Sequence, residues 1–450
     1  MIILNAMAQL AALAGVVIIQ IAYSVAAARL LGVAEFGQFS FVFSVTQILL
    51  IGCDLGLHNT AVRKIAIDIA SGRQSAAEET FGRFFSLKLV LSALLACCGA
   101  AMSFAIPNMD GSRLALVFFS AGMFFQALNT GLNIAFQAHG KLYLASINNV
   151  LAAAFNLGIA TVFMLVGGHV VALGIAYTLG MSLAFSINCY VFGTKVHPVR
   201  LGGLHDWRNL ALESLPVGIG TLFNTIASRI DITILTLIVG SYQTGIYSAP
   251  YRIYGSLLNI PIAIFSAVLP VMASLGEGRE GVRRLFDRSL FTMIAIVLPL
   301  VFALSGFSGV LITLLYGKTY AASDDILKIL AWSLIPAFVG MAFSHVILSQ
   351  ATLSRRLPAI GAAGMIANIG LNLLLIPRTG NRGAAVSTLL TEAIVAGLYA
   401  IGATDFLFGN AKMKEAGTLE TLTRRAFGEP PSSKASPYRA RASRPGERGQ

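Results

Sequence analysis

Arg29-Leu-Leu-Gly32-Val-Ala-Glu35-Phe-Gly37-Gln-Phe39 has a counterpart 208 residues later, Leu237-Ile-Val-Gly240-Ser-Tyr-Gln243-Thr-Gly245-Ile-Tyr247, in which both glycines and the final aromatic recur. Two weaker echoes lie at nearly the same offset. Gly174-Ile-Ala-Tyr-Thr-Leu approximates Gly383-Ala-Ala-Val-Ser-Thr-Leu, and Arg83-Phe-Phe-Ser-Leu approximates Arg288-Ser-Leu-Phe-Thr. A repeat of this length means two halves built alike, each too long to be a single solenoid unit.

What each half is made of follows from composition. The chain has 450 residues, of which 56% are hydrophobic and only 12% charged, and its mean hydropathy is +0.76. A soluble protein carries roughly 25% charged residues, so this surface is not built for water and a soluble enzyme is excluded. Runs of ~20 apolar residues bounded by charges, Gly or Pro predict about twelve membrane-crossing helices. They fall near 8–28, 38–58, 84–106, 114–137, 143–166, 170–193, 214–238, 246–272, 289–314, 326–350, 359–377 and 383–408. A membrane barrel would instead alternate polar and apolar residues in ~10-residue strands. The first run has an A-x-A-like end at Val25 to Ala28, but no basic residue precedes it and it is long enough to span, so it is read as the first helix and not a leader. Cys53, Cys97, Cys98 and Cys189 all sit in apolar runs without metal spacing and read as packing residues.

The 32 Lys and Arg exceed the 20 Asp and Glu, and their position explains most of the excess. With the N-terminus cytoplasmic, 24 of the basic residues fall on inner loops and ends, among them Lys88, and five on outer loops. The bias puts both termini in the cytoplasm and makes the positive charge a matter of topology, not of nucleic-acid binding. The predicted organisation is an all-α membrane protein: a six-helix bundle over 1–195, a cytoplasmic linker with an interfacial helix over 196–213, a second six-helix bundle over 214–408, and a basic disordered tail over 409–450. A second surface helix is expected where Val62, Ile65, Ala66 and Ile69 recur at helical spacing. Six crossings per half is an even number, so the repeat is parallel, with a central cavity between the pseudo-repeat bundles.

Several fragments taken in order carry a family resemblance. They are Ala28-Arg29-Leu30-Leu31-Gly32 with Glu35-Phe36-Gly37, Asp54-Leu55-Gly56-Leu57, Gly245-Ile246-Tyr247-Ser248-Ala249 with Tyr251-Arg252, Leu315-Tyr316-Gly317 with Tyr320, and Asn372-Leu373-Leu374-Leu375-Ile376-Pro377 with Gly383-Ala384-Ala385. Over about residues 8 to 405 the chain resembles the polysaccharide-exporter branch, the Wzx-type oligosaccharide flippases, of the multidrug/oligosaccharidyl-lipid/polysaccharide flippase superfamily. The resemblance implies translocation of an undecaprenyl-diphosphate-linked oligosaccharide across the bacterial inner membrane by alternating access, for O-antigen, capsule or exopolysaccharide. It also implies membrane lipids, a polysaccharide polymerase and a chain-length regulator as partners. Many family members carry two further helices where this chain has its basic tail. A multidrug or cation antiporter of the same superfamily and a membrane polysaccharide polymerase are the competing readings. Acidic cavity groups would favour the first, and a long catalytic outer loop the second.

An ionisable group inside a span costs about 2.5–3.5 kcal/mol and so needs a partner or a cavity. Arg229 and Asp231 are two residues apart on the seventh span and point away from each other. Asp231 and Arg252 lie at similar depth on adjacent antiparallel spans, which allows a structural ion pair; the alternative is that Arg252 faces the cavity. Arg229, nearer the midplane, either meets the substrate diphosphate or is satisfied by snorkelling or by carbonyls. Glu392 carries a coupling proton or makes a structural hydrogen bond. Asp54 and His58, four apart, form a gating pair or bond to the helix end. Asn129 and Asn133, with Gln126, share a helical face, as do Asn368 and Asn372; they bind sugar hydroxyls or glue helices together. Pro250, Pro261 and Pro270 mark the eighth span as segmented. No Walker loop, metal cluster or nucleophile–base pair is present, so neither an enzyme nor a cofactor is expected.

Overall fold

The computed structural model describes residues 2–105, 112–195, 207–275, 279–350 and 352–408. Among these, fourteen helices follow one another: α1 (Ile2–Gly52), α2 (Leu57–Ala70), α3 (Gln74–Ala105), α4 (Arg113–Ala138), α5 (Leu142–Leu165), α6 (Val170–Lys195), α7 (Trp207–Ala227), α8 (Ile230–Val239), α9 (Ser241–Leu257), α10 (Asn259–Ser274), α11 (Arg279–Tyr316), α12 (Asp324–Ser349), α13 (Leu357–Thr379) and α14 (Asn381–Phe408). Eleven segments are long and apolar enough to cross a membrane. The first contains two crossings, because α1 reverses at Gly32, whose φ of 78° and ψ of 174° no side chain adopts comfortably. Tyr23 and Phe39, sixteen positions apart, therefore have ring centroids 5.6 Å apart, where a straight helix would separate them by ~24 Å. Gly240 makes the same reversal between α8 and α9, with φ 103° and ψ 170°. The chain is a multi-pass membrane protein of two six-helix bundles around a central cavity.

Two expected spans are divided. Ser228 and Arg229 interrupt the seventh, separating α7 from α8, and Leu258 interrupts the eighth. The second break has a covalent cause: Pro261 in the first turn of α10 has no N–H to donate to Leu257, the last residue of α9. The first has neither glycine nor proline and is held by hydroxyls, described below. The surface helix anticipated at Val62 to Ile69 exists as α2, but it buries Leu57, Ala61 and Ile65 against α3 and α4 instead of lying free on lipid. Trp207 opens α7, so positions 207–213 are its first turns and not a separate interfacial helix; Leu204 and the tail from 409 lie outside the described residues.

The two repeat motifs meet each other. A Cβ on Gly37 would fall 1.8 Å from the Ser241 carbonyl oxygen, and one on Gly245 would fall 2.0 Å from the Val33 carbonyl oxygen. Since 33 and 241 are themselves 208 apart, the contact is reciprocal, as a local two-fold axis requires. Around it Tyr320 donates to the Ala28 carbonyl at 3.2 Å, Ser323 to the Ile246 carbonyl at 2.7 Å, and Arg29 Nε to the Leu315 carbonyl at 2.8 Å. At the other end of the bundles Gly56, with φ 80°, lies against Ser214 and Gly218, and Lys64 pairs with Glu213 at 2.5 Å.

The reciprocal contact leaves no room for a side chain. Gly37→Leu should lower the melting temperature of the purified protein by several degrees, corresponding to about 1–3 kcal/mol of overpacking, whereas Gly397→Leu, where a Cβ meets nothing within 4 Å, should change it little. Equal shifts for the two would remove the contact from the stability of the fold.

Candidate functional site

A cavity of about 580 Å3 lies between the two lobes and is asymmetric in its chemistry. The first lobe supplies amides (Gln20, Gln47, Gln126, Asn129, Asn149, Asn156) and aromatic rings (Tyr23, Phe39, Phe43, Tyr177). The second lobe supplies Arg229 and Arg252. No Asp or Glu lines the described cavity, and among the described residues neither arginine forms an ion pair.

Arg229 reaches this place through the helix break. With φ −129° it stands just before α8 as its N-cap, and its carbonyl, which opens the α8 ladder, also accepts a hydrogen bond from Ser44 of α1 at 2.6 Å; the Ser228 carbonyl, left outside both helices, accepts one from Tyr251 of α9, also at 2.6 Å. Broken helices at membrane depth persist only where neighbouring side chains replace the lost backbone bonds; here Tyr251 does so for Ser228, and Ser44 of the first lobe adds a second bond at Arg229. Arg252 packs on two first-lobe rings, its guanidinium carbon 5.4 Å from the Phe39 centroid and 5.1 Å from that of Phe43.

The anticipated Asp231–Arg252 ion pair does not form. Asp231 is buried and accepts from the Tyr247 hydroxyl and, at 2.7 Å, from the Ile232 amide. The two groups were matched in depth, but Arg252 is five residues beyond Tyr247, or about 140° around α9. Tyr247, Tyr251 and Tyr254 occupy the face turned into the second lobe, and Arg252 faces the first. Glu392 lies on that inner side too, accepting from Tyr254 at 3.1 Å, outside the described lining of the cavity.

The Asp54–His58 pair is also absent, because the chain leaves helical geometry between them at Leu55 (φ 39°) and Gly56. Asp54 instead binds Lys88 at 2.6 Å, and His58 meets Gln137 at 3.2 Å. Lys88, counted above with the inner-loop charges, is in fact 1% exposed.

The amides divide between cavity and packing. Asn129 does both, lining the cavity while its Oδ1 accepts from Asn148 at 2.8 Å and from Asn188 at 2.7 Å. Asn133 sits one turn deeper, donating to Asn149 at 3.2 Å and accepting from Asn188 at 3.3 Å. Asn372 is buried in the second lobe, bonded to Asn368 at 3.0 Å, and is not part of the cavity. Sequence reasoning passed over Gln20 and Tyr23, Phe39, Phe43 and Gln47, and Asn149 and Asn156. The usable signal was spacing: 39, 43 and 47 are successive positions on one helical face. The Oδ1 of Asn156, a residue of the cavity wall, is buried and has no hydrogen-bond partner among the described residues. This collection of amide donors, ring faces and two guanidinium groups outside any described ion pair can hold an anion and stack or hydrogen-bond hydroxylated rings.

The buried Lys88–Asp54 pair makes an ordering testable by thermal denaturation. Asp54→Asn strands an ammonium in the core, and Lys88→Met removes that charge while leaving a carboxylate whose side chain is 26% exposed. Asp54→Asn should therefore destabilise more, and the reverse order would contradict the pairing.

The comparisons with known proteins agree with this architecture. The family model described as polysaccharide biosynthesis protein matches residues 3–275. A Haloferax volcanii protein named a probable low-salt glycan biosynthesis flippase is 22% identical over 381 residues, covering 83% of this chain and 77% of that one. A Shigella flexneri protein provisionally named an O-antigen transporter is 22% identical over 378 residues, with 80% and 87% covered. A solved structure described as the inward-facing conformation of a multidrug resistance MATE family transporter of the MOP superfamily superposes with a TM-score of 0.74 at 16% identity, covering 89% of this chain and 98% of that one. With more than half of its length matched, the chain belongs to the polysaccharide biosynthesis protein family and has the two-lobed helical fold of MOP superfamily transporters.

Proposed function

We propose that this protein is a flippase, not an enzyme, and that it moves an undecaprenyl-diphosphate-linked oligosaccharide from the cytoplasmic to the outer leaflet of a bacterial inner membrane. One observation carries the reading: two arginines that form no ion pair among the described residues enter, from one lobe, a cavity whose polar and aromatic lining is otherwise mostly amides and rings, beside aliphatic side chains such as Leu13 and Val16. Guanidinium groups suit phosphate oxygens, and amides with ring faces suit sugars. The names of the two relatives, a flippase and an O-antigen transporter, support the same substrate class.

The competing reading, export of organic cations, has the structural neighbour's name in its favour. It predicts acidic groups facing the cavity, and the described lining has none. Asp231 and Glu392 are turned toward tyrosine hydroxyls inside the second lobe, and Glu392 is the candidate for a coupling proton. Alternating access then requires the contacts at the two ends of the bundles to part in turn. At the Gly56 end the pair to break is Lys64–Glu213, since Asp54 is held within the first lobe by Lys88. The charge asymmetry supports cytoplasmic termini, and a phosphatase active only outside the cytoplasm, fused after Lys414, should be silent.

Deleting the gene in a strain with no second flippase should leave lipid-linked repeat units accumulating and surface polymer absent; normal polymer without accumulation would refute the proposal. At the site, Arg229→Ala should lower diphosphate-lipid affinity about ten- to hundred-fold at normal protein level, with activity ordered Arg above Lys above Ala. Asp231→Arg combined with Arg252→Asp should not restore function, because those two residues face different lobes. An Arg229→Ala protein that exports normally would remove the arginine from substrate binding.

A further inference from the structure

The cavity continues beyond its polar walls. At Ala12 of α1 and Ser146 of α5, both of which line it, a second hollow of about 220 Å3 begins, walled by Tyr143, Ile147, Val150 and Leu151. These α5 positions fall within one arc of the helix, and Tyr143 and Ile147 are 43% and 53% exposed, so the hollow opens on the outside of the bundle. In a multi-pass protein that outside is hydrocarbon. The chemistry therefore changes across one turn of α5, from arginines and amides within to aliphatic walls without, with the Ser146 hydroxyl at the junction.

A small anion or a free glycan has no use for the second hollow. A ligand that fits both is an amphiphile with an anionic, hydroxylated head and a hydrocarbon chain. Moving methylenes from the bilayer into water is unfavourable in proportion to their number, so a long chain stays in lipid while its head enters the protein and must pass through the wall of the bundle. It cannot pass between α1 and α9 at Gly37 and Gly245, where the backbones touch. Accepting the arginine cavity as the site for the lipid diphosphate, we infer that the first isoprenoid units of the carrier leave it between α1 and α5, through the hollow at Ile147 and Val150. The chain length and saturation tolerated near the diphosphate are then set by α5, and the head can enter without the tail leaving the membrane.

The test uses the full-length protein in lipid nanodiscs and a farnesyl-length isoprenoid diphosphate carrying a benzophenone, followed by light and peptide mapping. Adducts on residues 143–151 or beside Ala12, displaced by undecaprenyl diphosphate, are expected. Adducts on other helices, still displaced by inorganic diphosphate, would overturn the exit route and leave the diphosphate site standing; no displaceable labelling at all would overturn both. Equal labelling of these positions by a photoreactive phosphatidylglycerol that undecaprenyl diphosphate does not displace would make the hollow an ordinary lipid contact and overturn the inference. In a second arm, Val150→Trp should weaken undecaprenyl diphosphate binding about tenfold, the equivalent of some two buried methylenes, with inorganic diphosphate affinity within twofold of the parent. Unchanged affinity for the long-chain ligand, or an equal loss for both, would overturn it.

Discussion

The reciprocal approach of Gly37 and Gly245 is the constraint around which the rest is arranged. Lipid gives helices no hydrophobic reason to associate, so two lobes held in a bilayer need close backbone contact, and glycine alone permits a Cβ-free approach of this kind. Because both glycines follow a reversal by five residues, at Gly32 and Gly240, the contact also fixes the register of the two hairpins. The next consequence lies two turns further along α9. Arg252, seven residues past Gly245, meets Phe39 and Phe43, two and six residues past Gly37. The guanidinium is thus delivered to the interface between the lobes by a steric fit that contains no charge.

The same interface accommodates a defect in the helical backbone. The interruption leaves the Ser228 carbonyl without a helical donor at membrane depth, which would be costly in hydrocarbon; Tyr251 covers it, and Ser44 bonds the neighbouring Arg229 carbonyl. Ser44 belongs to the first lobe and Tyr251 to the second, so a movement of the lobes must exchange one of these bonds for another partner. The break and the arginine pair occupy the same place for one physical reason: a bundle that tolerates an interrupted backbone and charges outside ion pairs must do so where it also offers polar partners.

Polar groups elsewhere in the bundles are spent on each other. Asn133, Asn148 and Asn188 tie α4, α5 and α6 together, and Asn368, Asn372 and Thr391 tie α13 to α14. Asp231 and Glu392 are enclosed by tyrosine hydroxyls in the second lobe. The lobes therefore differ at the cavity: amides reach it from the first, while Asp231 and Glu392 of the second stay outside its described lining. The two arginines, which form no ion pair among the described residues, are the exception, and repulsion between like charges sharing a cavity is relieved by a bound anion.

Much of the fold was legible in the chain. Hydropathy alone dictates helices, since a bilayer allows few other ways to satisfy a backbone, and the 208-residue offset between two glycine motifs implies two like bundles. That Arg229 and Arg252 needed an explanation was also legible, because charges are rare in apolar runs. Partners were not. Depth along a helix can be counted from a turn, but azimuth cannot, and Asp231 went to Tyr247 instead of Arg252 because of 140° of helix. Asp54 and His58 were separated by a backbone departure at Leu55 that no periodicity announces, and Lys88 looked like a loop charge until packing buried it against Asp54. The break before α8 carries no proline or glycine to betray it; hydroxyls from two other helices stabilise it, and only the tertiary structure brings those hydroxyls within reach.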